Sequence, residues 1–227
     1  MARYRSSIPA TASERIVSRH PGSRIKQRAN YFVDRKLVGI RTFHETGGIE
    51  FESPMRHGRL HGTVHRFDIR GKLDSSEPYR NGLPHGIAKQ YGSDGKLLGT
   101  YAMKHGAGID LWWDQYDEHS LPFLSEARYL KDGVRHGWEW WLDDSRKSVW
   151  SECHYFQSRK HGIEREWRNG KLRRGYPRYW LHEERVTKRR YLRAALKDPA
   201  LPPFRAADNR PERTFPPEIQ SALRRKH

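Results

Sequence analysis

The chain has 227 residues, a formal net charge of +17 and an apolar content of only 35 %. Globular proteins average about 45–50 %, so eight Trp and eleven Tyr among few aliphatic residues favour a sheet with covered faces over a thick sandwich. The single cysteine, Cys153, excludes an internal disulfide and a cysteine-rich zinc site, and it predicts a reducing, cytoplasmic setting. No apolar run approaches the roughly 18 residues that a membrane span needs.

The two ends of the chain are basic. Residues 1–30 carry seven Lys or Arg and one acid, and residues 171–227 carry sixteen and six, whereas residues 31–170 carry 21 and 20. The first 30 residues lack the apolar stretch of a secretory signal. They predict a basic flexible N-terminal arm, although their Arg- and Ser-rich composition also fits an organelle transit peptide.

A pattern of about 24 residues recurs about six times within residues 31–175. Side chains alternate along a strand, so positions one, three and five after each repeat glycine share one face. We therefore predict that the residue directly after the glycine lies on the same side of the strand as the aromatic residue or leucine at the fifth position. In the first copy the aromatic residue is at the fourth position. The glycines are Gly39, Gly62, Gly86, Gly108, Gly137 and Gly162; the first following positions are Ile40, Thr63, Ile87, Ile109, Trp138 and Ile163; the later positions are Phe43, Phe67, Tyr91, Trp113, Leu142 and Trp167.

Each copy also contains a turn and a second strand. "SDGK" and "RNGK" hold the Asp-Gly and Asn-Gly pairs that favour two-residue hairpin turns. The second strand leads to an anchor seven or eight residues before the next glycine, filled by Met55, Tyr79, Tyr101, Tyr129 and Tyr155. An isolated hairpin is marginal in water, so stacked copies must bury one another's faces. The sequence therefore predicts an all-β array of antiparallel hairpins.

The stretch "YRNGLPHG" at 79–86 matches the pattern Y-x-x-G-x-x-H-G and resembles the MORN repeat. The chain is most similar to bacterial MORN-variant arrays, some of which are labelled antitoxins of toxin–antitoxin pairs. The resemblance implies an elongated, twisted antiparallel sheet that serves as a scaffold or binding surface, and it implies no reaction. Ala107 and Leu142 depart from the repeat, where a histidine and an aromatic residue are expected.

Residues 176–227 change character. "RYWLHEERV" predicts a final hairpin, and Thr187 is a natural N-cap for a helix from about Lys188 to Lys197 that covers the end of the sheet. A Pro-rich basic tail follows, and "PPEIQSALRRKH" predicts one more short helix that begins at a proline.

The best candidate for a specific binding site is an acidic and aromatic stretch in the longest repeat. Such residues can hold a sugar or a cation, and the alternative is a solvated, lengthened loop. Two neighbouring tryptophans, Trp140 and Trp141, must face opposite ways, so both faces need cover there from the tail helix or from a partner. The candidate binding residues are Asp110, Trp112, Asp114, Tyr116, Asp117 and Glu118.

No catalytic or metal site is predicted. Histidines recur at the hairpin junctions, but neighbouring hairpins advance by roughly 10 Å, too far for their histidines to share a zinc ion. A role in capping or packing against the turns is expected instead. Cys153 and His154 are adjacent in a strand and point to opposite faces, which argues against a Cys–His dyad. The junction histidines are His57, His61, His85, His136 and His161.

Two functions follow as hypotheses, neither of which involves an enzyme, a metal or a cofactor. The first is a non-catalytic scaffold that binds another protein, with an antitoxin as the special case in which the partner is a toxin. The alternative is binding of a polyanion (RNA, DNA or an anionic membrane) through the basic ends. The polyanion contacts would be Arg189, Arg190 and Arg193. An enzyme that uses the acidic–aromatic stretch is the third and least favoured hypothesis.

Overall fold

The computed structural model describes residues 4–117, 119–143 and 147–224. Within these residues the chain forms eighteen β-strands, two α-helices and one 3-10 helix at Ala206–Asn209. All the strand pairs are antiparallel, so the predicted all-β class with a short helical C-terminal segment is confirmed. The chain divides into unit 1, residues 1–105 with 117–120, and unit 2, residues 106–116 with 121–227. These units differ from the predicted boundaries near residues 30 and 175, because both end segments pack on repeat strands.

Unit 1 is built from strands that pair in chain order. Four long hairpins follow one another, and β5 and β8 are short strands at the junctions. The strands are β1 (Ser13–Arg19), β2 (Lys26–Val33), β3 (Lys36–Phe43), β4 (Ile49–Arg56), β5 (Arg59–Leu60), β6 (Gly62–Phe67), β7 (Leu73–Arg80), β8 (Leu83–Pro84), β9 (Gly86–Tyr91) and β10 (Leu97–Lys104).

The N-terminal segment belongs to the fold of unit 1, and the prediction of a flexible arm over residues 1–30 differs from the structure. The strand β1 and the first half of β2 form there, and Ile8 is buried against Ala29, Tyr31 and Phe43. The basic composition of the segment predicts that it is exposed to solvent. Its few apolar side chains nevertheless find a hydrophobic cluster, which the charge count does not reveal.

A buried carboxylate also holds the N-terminal segment in place. Glu52 is completely buried, and Arg41 Nη2 lies 2.7 Å from its Oε2. The hydroxyl of Tyr4 donates to the same carboxylate. Ser6 Oγ and the backbone N–H of Ser7 also donate to it, each at 2.8 Å. Burial by itself raises the pKa of Glu52, but the hydrogen bonds from Tyr4 and Arg41 outweigh it and lower that pKa.

Unit 2 continues the same pattern of antiparallel pairing in chain order. Its elements are β11 (Ala107–Asp114), β12 (Phe123–Lys131), β13 (Val134–Leu142), β14 (Val149–Phe156), β15 (Arg159–Arg168), β16 (Lys171–Leu172), β17 (Arg178–Leu181), β18 (Glu184–Val186), α1 (Lys188–Ala195) and α2 (Pro217–Arg224).

The C-terminal segment covers one face of the unit 2 sheet. The final hairpin is β17–β18, and Thr187 caps α1 by accepting a hydrogen bond from Arg190 N, as predicted. The helix ends at Ala195, slightly before the predicted Lys197. Tyr191 of α1 is fully buried in a cluster with Ile163 and Leu201, and α2 packs on β11 and β12. Neither described helix has the length and apolar character that crossing a membrane requires.

A buried ion cluster fixes the tail of unit 2. The carboxylate of Glu152 accepts hydrogen bonds from Arg165 Nη1 at 2.6 Å, from Arg213 Nε and Nη2 at 2.8 Å each, and from Trp140 Nε1 at 3.2 Å. Arg165 is fully buried, and its Nε also donates to Asn209 Oδ1 at 3.2 Å. Buried charges are tolerated only when they are paired in this way, so Arg213 ties the tail to the sheet.

Four of the repeat glycines, Gly62, Gly86, Gly137 and Gly162, are explained by close approach of a side chain on the neighbouring strand. Gly162 has φ +148°, and a Cβ at this position would lie 2.6 Å from the Cβ of His154 on the neighbouring strand β14. Of the residues after the glycines, Ile163 is buried but Ile87 is 61 % exposed, because no described segment lies over it. Among the aromatic anchors, Phe67, Trp113, Tyr155 and Trp167 are buried, whereas Tyr79, Tyr91, Tyr101 and Tyr129 are half-buried.

The junction turns stack on one another along one side of each unit. In every case a backbone N–H in one turn donates to a carbonyl near the preceding turn, at 2.8 or 2.9 Å. We call these contacts the turn ladder. Its rungs are Gly82 N to Leu60 O in unit 1, and Gly133 N to Gly106 O, Ser158 N to Arg135 O and Glu183 N to Lys160 O in unit 2.

Candidate functional site

The most distinctive surface feature is a cleft in unit 2, where the hairpins β11–β12 and β13–β14 turn back. This side is opposite to the turn ladder. The cleft has a volume of about 560 Å³, within the range of about 300–1,000 Å³ that is typical of binding sites. We call it the aromatic cleft. Its lining residues are Asp114, Tyr116, Phe123, Ser125, Trp141, Leu142, Asp143 and Trp150.

Two aromatic pairs form the walls of the aromatic cleft. The rings of Trp141 and Trp150 lie 5.5 Å apart, and Tyr116 stacks on Phe123 with 4.9 Å between ring centroids. Tyr116 is 69 % exposed, Trp150 48 % and Trp141 36 %. Leu142 is buried beneath them. Clustered aromatic rings that stay open to water are a common mark of an interaction site.

The alternation of side chains along β13 explains why these rings are uncovered. Trp138 and Trp140 stack on the face that the tail covers, and Phe215 packs edge-on against Trp140 at 5.8 Å. Trp141 points to the other face, as the sequence pattern predicts. The structure therefore supplies a cover for one of the two faces, and Trp141 remains partly exposed on the other.

Two carboxylates border the aromatic rings. The Oδ1 of Asp114 accepts a hydrogen bond from Gln115 N at 2.8 Å. Asp143 accepts one from the hydroxyl of Ser148, and its own N–H donates to Ser148 O at 3.1 Å. Among the described lining residues there is no Lys or Arg. The cleft is thus locally acidic on a chain whose net charge is +17.

The residues of the predicted acidic–aromatic site separate into three groups. Asp114 and Tyr116 line the aromatic cleft. Asp110 and Trp112 lie on the sheet instead, where Asp110 faces Arg128 across the strand pair, 3.7 Å from its Nη1. Asp117 organises the turn after β11: its Oδ1 accepts from the N–H groups of residues 119 and 120. Glu118 lies outside the described residues.

Sequence reasoning missed six of the eight cleft residues as members of this site, namely Phe123, Ser125, Trp141, Leu142, Asp143 and Trp150. The exposed face of Trp141 was recognised, but its neighbour was not. A register irregularity between Trp141 and Leu142 in the β13–β14 pair brings Trp150 against Trp141. Such a bulge has no signature in a single sequence beyond the local break in alternation.

Two of the junction histidines, His85 and His161, accept hydrogen bonds from a neighbouring turn, which agrees with the capping role predicted for them. His85 Nδ1 accepts a hydrogen bond from His105 N at 3.2 Å, and His161 Nδ1 accepts one from His182 N at 3.1 Å. The His161 and His182 rings stack with centroids 4.0 Å apart. The expectation that histidines of neighbouring hairpins stay apart is therefore wrong here, because the next turn folds back over the preceding histidine.

His161, His182 and Asp198 form the one group of metal-ligating type among the described residues, with ligand atoms within 4.8 Å of one another. His161 Nε2 lies 3.0 Å from Asp198 Oδ2. Because Nδ1 of His161 accepts the backbone N–H, the ring proton of the neutral imidazole is on Nε2, directed at Asp198. A metal ion at Nε2 would require loss of this proton. The hydrogen bonds thus favour a structural cap over a metal site.

The three arginines proposed as polyanion contacts lie on α1, Arg189 and Arg190 in its first turn and Arg193 in its last. Arg190 is occupied, because its guanidinium makes two hydrogen bonds to Glu184, one of them 2.9 Å long. Arg189 and Arg193 are exposed, and no carboxylate pairs with either of them in the part of the chain that the structure describes. Two of the three positions are thus available to an anion.

Cys153 lies in a setting that suppresses nucleophilic chemistry. Its side chain is buried, and burial raises the pKa of the thiol to about 12. The thiolate is the reactive form of cysteine, so at neutral pH this residue is inert. Its neighbour His154 directs Nδ1 to His161 O at 2.7 Å and does not reach the thiol.

Comparison with known proteins adds no family name to this geometry. Neither the family models scanned nor the curated proteins searched gave a match to this chain. The resemblance to MORN repeats therefore stays a prediction, and the aromatic cleft has to be interpreted from its own residues.

Proposed function

We propose that this chain is a non-catalytic β-hairpin repeat protein that binds another protein through the aromatic cleft of unit 2. The observation that supports this proposal is the asymmetry of β13. Its Trp140 face is covered by the chain's own Phe215, and its Trp141 face is left open beside Trp150. The open face is where a partner would supply the missing cover.

The residue types of the cleft suit protein recognition. Trp and Tyr dominate the binding energy of many interfaces, because they bury a large area and lose little rotamer freedom. In Trp141 and Trp150 the two rings already contact each other, so they are positioned before a partner arrives. Preorganisation of this kind lowers the entropic cost of association.

The polar groups of the cleft do not suggest a reaction. Apart from the two carboxylates, the described lining holds Ser125, whose hydroxyl donates to Trp112 O at 3.2 Å. No histidine or thiol lines the cleft in the described residues that could activate a nucleophile. A scaffold role, including that of an antitoxin whose partner is a toxin, is compatible with this set.

The test is cross-linking of the full-length chain to its partners in an extract of its source cells, followed by mass spectrometry of the linked peptides. We expect partner cross-links to concentrate around the aromatic cleft. The double variant Trp141→Ala, Trp150→Ala should lose most of the captured partner. Leu196→Ala, which removes a still more exposed apolar side chain directly after α1, should keep it. Equal capture by both variants would refute the proposed site.

A second candidate function, polyanion binding, is favoured by the two unpaired arginines of α1. Clustered guanidinium groups attract phosphates and release counterions when they bind. We expect the full-length chain to shift RNA, or to sediment with anionic vesicles, with an affinity that falls steeply between about 50 and 200 mM salt. Arg189→Gln with Arg193→Gln should weaken this binding more than Arg190→Gln, whose guanidinium is already paired. If none of the three substitutions weakens binding, α1 is excluded as the contact.

A further inference from the structure

The chemistry of the aromatic cleft points to the kind of group that enters it. We infer that the cleft receives a cationic side chain, an arginine or a lysine on an exposed segment of the partner protein. This inference rests on the proposed function, and it adds the chemical class of the ligand. It depends on three observations: the open aromatic faces, the two carboxylates beside them, and the lack of basic residues in the described lining.

The aromatic faces attract cations. The π-face of an indole or phenol ring carries negative charge, and a guanidinium or ammonium group within about 6 Å of the ring centre is stabilised by it. The chain already uses this interaction elsewhere: the Arg135 guanidinium lies 4.3 Å from the centre of the Tyr155 ring, and Arg213 lies 4.9 Å from that of Trp167. In the aromatic cleft, Trp141 and Trp150 present such rings, but no described cation covers them.

The carboxylates extend the same preference. Asp114 is exposed, and within the described part of the chain its carboxylate accepts a hydrogen bond from the backbone N–H of the next residue. A guanidinium that lies along the Trp141 and Trp150 rings could donate to this carboxylate in the charge-assisted geometry that arginine favours. Asp143, held by Ser148, adds a second negative charge to the same cleft.

Other ligand classes fit the cleft less well. An anionic group would face two carboxylates and the negative faces of the rings. A purely apolar side chain would remove Asp114 from water without offering it a partner, which is costly. A cation satisfies both the rings and the carboxylate of Asp114. The rest of the chain gives it no help, because a net charge of +17 repels cationic ligands at long range.

This repulsion makes a simple binding test selective. The probe is a short fluorescent peptide of alternating Gly and Arg, and the matched controls replace Arg with Gln or with Glu. Fluorescence anisotropy with the full-length chain at about 150 mM salt should show binding of the Arg peptide and none of the Gln peptide. Unspecific attraction to the basic chain would instead favour the Glu peptide.

The variants locate the interaction in the cleft. We expect Asp114→Asn to weaken binding of the Arg peptide by about three-fold or more, and the Trp141→Ala, Trp150→Ala double variant by about ten-fold or more. Glu45→Gln removes one exposed carboxylate from unit 1 and should leave the affinity unchanged. Circular dichroism checks that each variant is folded. We expect that each is, because the replaced side chains are exposed.

The outcomes separate this inference from the proposed function. No binding of the Arg peptide at concentrations up to about 1 mM, equal binding of the Gln peptide, or insensitivity to Asp114→Asn would each overturn the inference. If the cross-linked partner still depends on Trp141 and Trp150 in that case, the cleft binds protein through another chemistry. If the Arg peptide binds but no partner is captured, the preference of the cleft for a cationic group stands and the proposed protein-binding role does not.

Discussion

Removal of the buried carboxylate of unit 2 is the most informative perturbation of the fold. Glu152→Leu keeps a side chain of similar size but deletes the group that accepts all four hydrogen bonds from Arg165, Arg213 and Trp140. The side chains of Arg165 and Glu152 are 1 % and 2 % exposed. The variant therefore leaves a guanidinium charge without a counter-ion in a site that water does not reach.

The expected loss follows from this burial. Breaking a buried ion pair by removal of one partner costs about 3–5 kcal/mol, because the remaining charge is uncompensated. For a chain of this size, 1 kcal/mol corresponds to about 2–4 °C in Tm, so a decrease of about 6–20 °C is expected. Arg213→Met should cost less, about 1.5–3 kcal/mol, because it keeps the contact between Glu152 and Arg165.

The assay is urea denaturation followed by tryptophan fluorescence. All eight tryptophans lie between residues 112 and 180, in unit 2, so the signal reports the unit that holds the cluster. Arg210→Met is the matched control, since Arg210 is an exposed arginine of the same tail. Its free energy of unfolding should stay within about 0.5 kcal/mol of the parent.

A further variant tests the reasoning itself. Replacement of Glu152, Arg165 and Arg213 together by apolar residues of similar volume removes every charge of the cluster, and such replacements are often nearly neutral. The triple variant should therefore be more stable than Glu152→Leu alone. If Glu152→Leu is no more harmful than Arg210→Met, or if the triple variant loses the sum of the single effects, the buried-charge explanation is wrong.

The remaining predictions concern the repeat glycines, the histidines and the thiol. Gly162→Ala should lower the free energy of unfolding by more than about 2 kcal/mol, since the φ of Gly162 is +148° and the new Cβ would meet His154. Gly170→Ala, at a position with φ +72° and open space around it, should lower it by about 1 kcal/mol. Equal losses in the two variants would contradict the close-approach explanation. Burial lowers the pKa values of His154 and His161 below the usual value of about 6.5. As the pH falls, these histidines therefore take up protons in the unfolded chain before they do so in the folded chain. The free energy of unfolding of unit 2, measured by urea titration, should drop between about pH 6.5 and pH 5. His161→Gln should reduce that slope, and an unchanged slope would exclude this residue as a cause. Cys153, with a thiol pKa of about 12, should resist a disulfide-based thiol reagent in the native protein and react in urea, and rapid labelling of the folded chain would contradict its burial.

The hairpin array is predictable from sequence because its determinants are local. Turn dipeptides such as Asn169-Gly170, the glycine spacing and the aromatic positions each constrain a few neighbouring residues, and six copies repeat the same constraint. The N-cap of α1 is predictable for the same reason, since Thr187 and Arg190 are only three residues apart. Where the signal lies within one turn or one hairpin, prediction and structure agree.

The attachment of the end segments to the sheet was not predictable because the contacts that hold them are distant in sequence. Ser7 reaches Glu52 across 45 residues, and Arg213 reaches Glu152 across 61. Composition shows only that both segments are basic, and a basic segment looks alike whether it is solvated or paired with a buried carboxylate. The aromatic cleft falls between these cases: the open face of Trp141 followed from strand alternation, but its contact with Trp150 depends on an irregular register.

The turn ladder has a consequence for how such a chain can vary. The rungs of the ladder are backbone contacts between one hairpin junction and the next, so a residue added at a junction would shift the later rungs of the same unit. In the described part of the chain, the loops at the other ends of the hairpins carry no rungs. The longest repeat step, 29 residues, gains its extra length there, between Asp114 and Phe123. In unit 2, one margin of the sheet is thus held to a fixed period while the other is free to change in length. The aromatic cleft lies on the free margin, where new binding specificities can arise without disturbing the strand register.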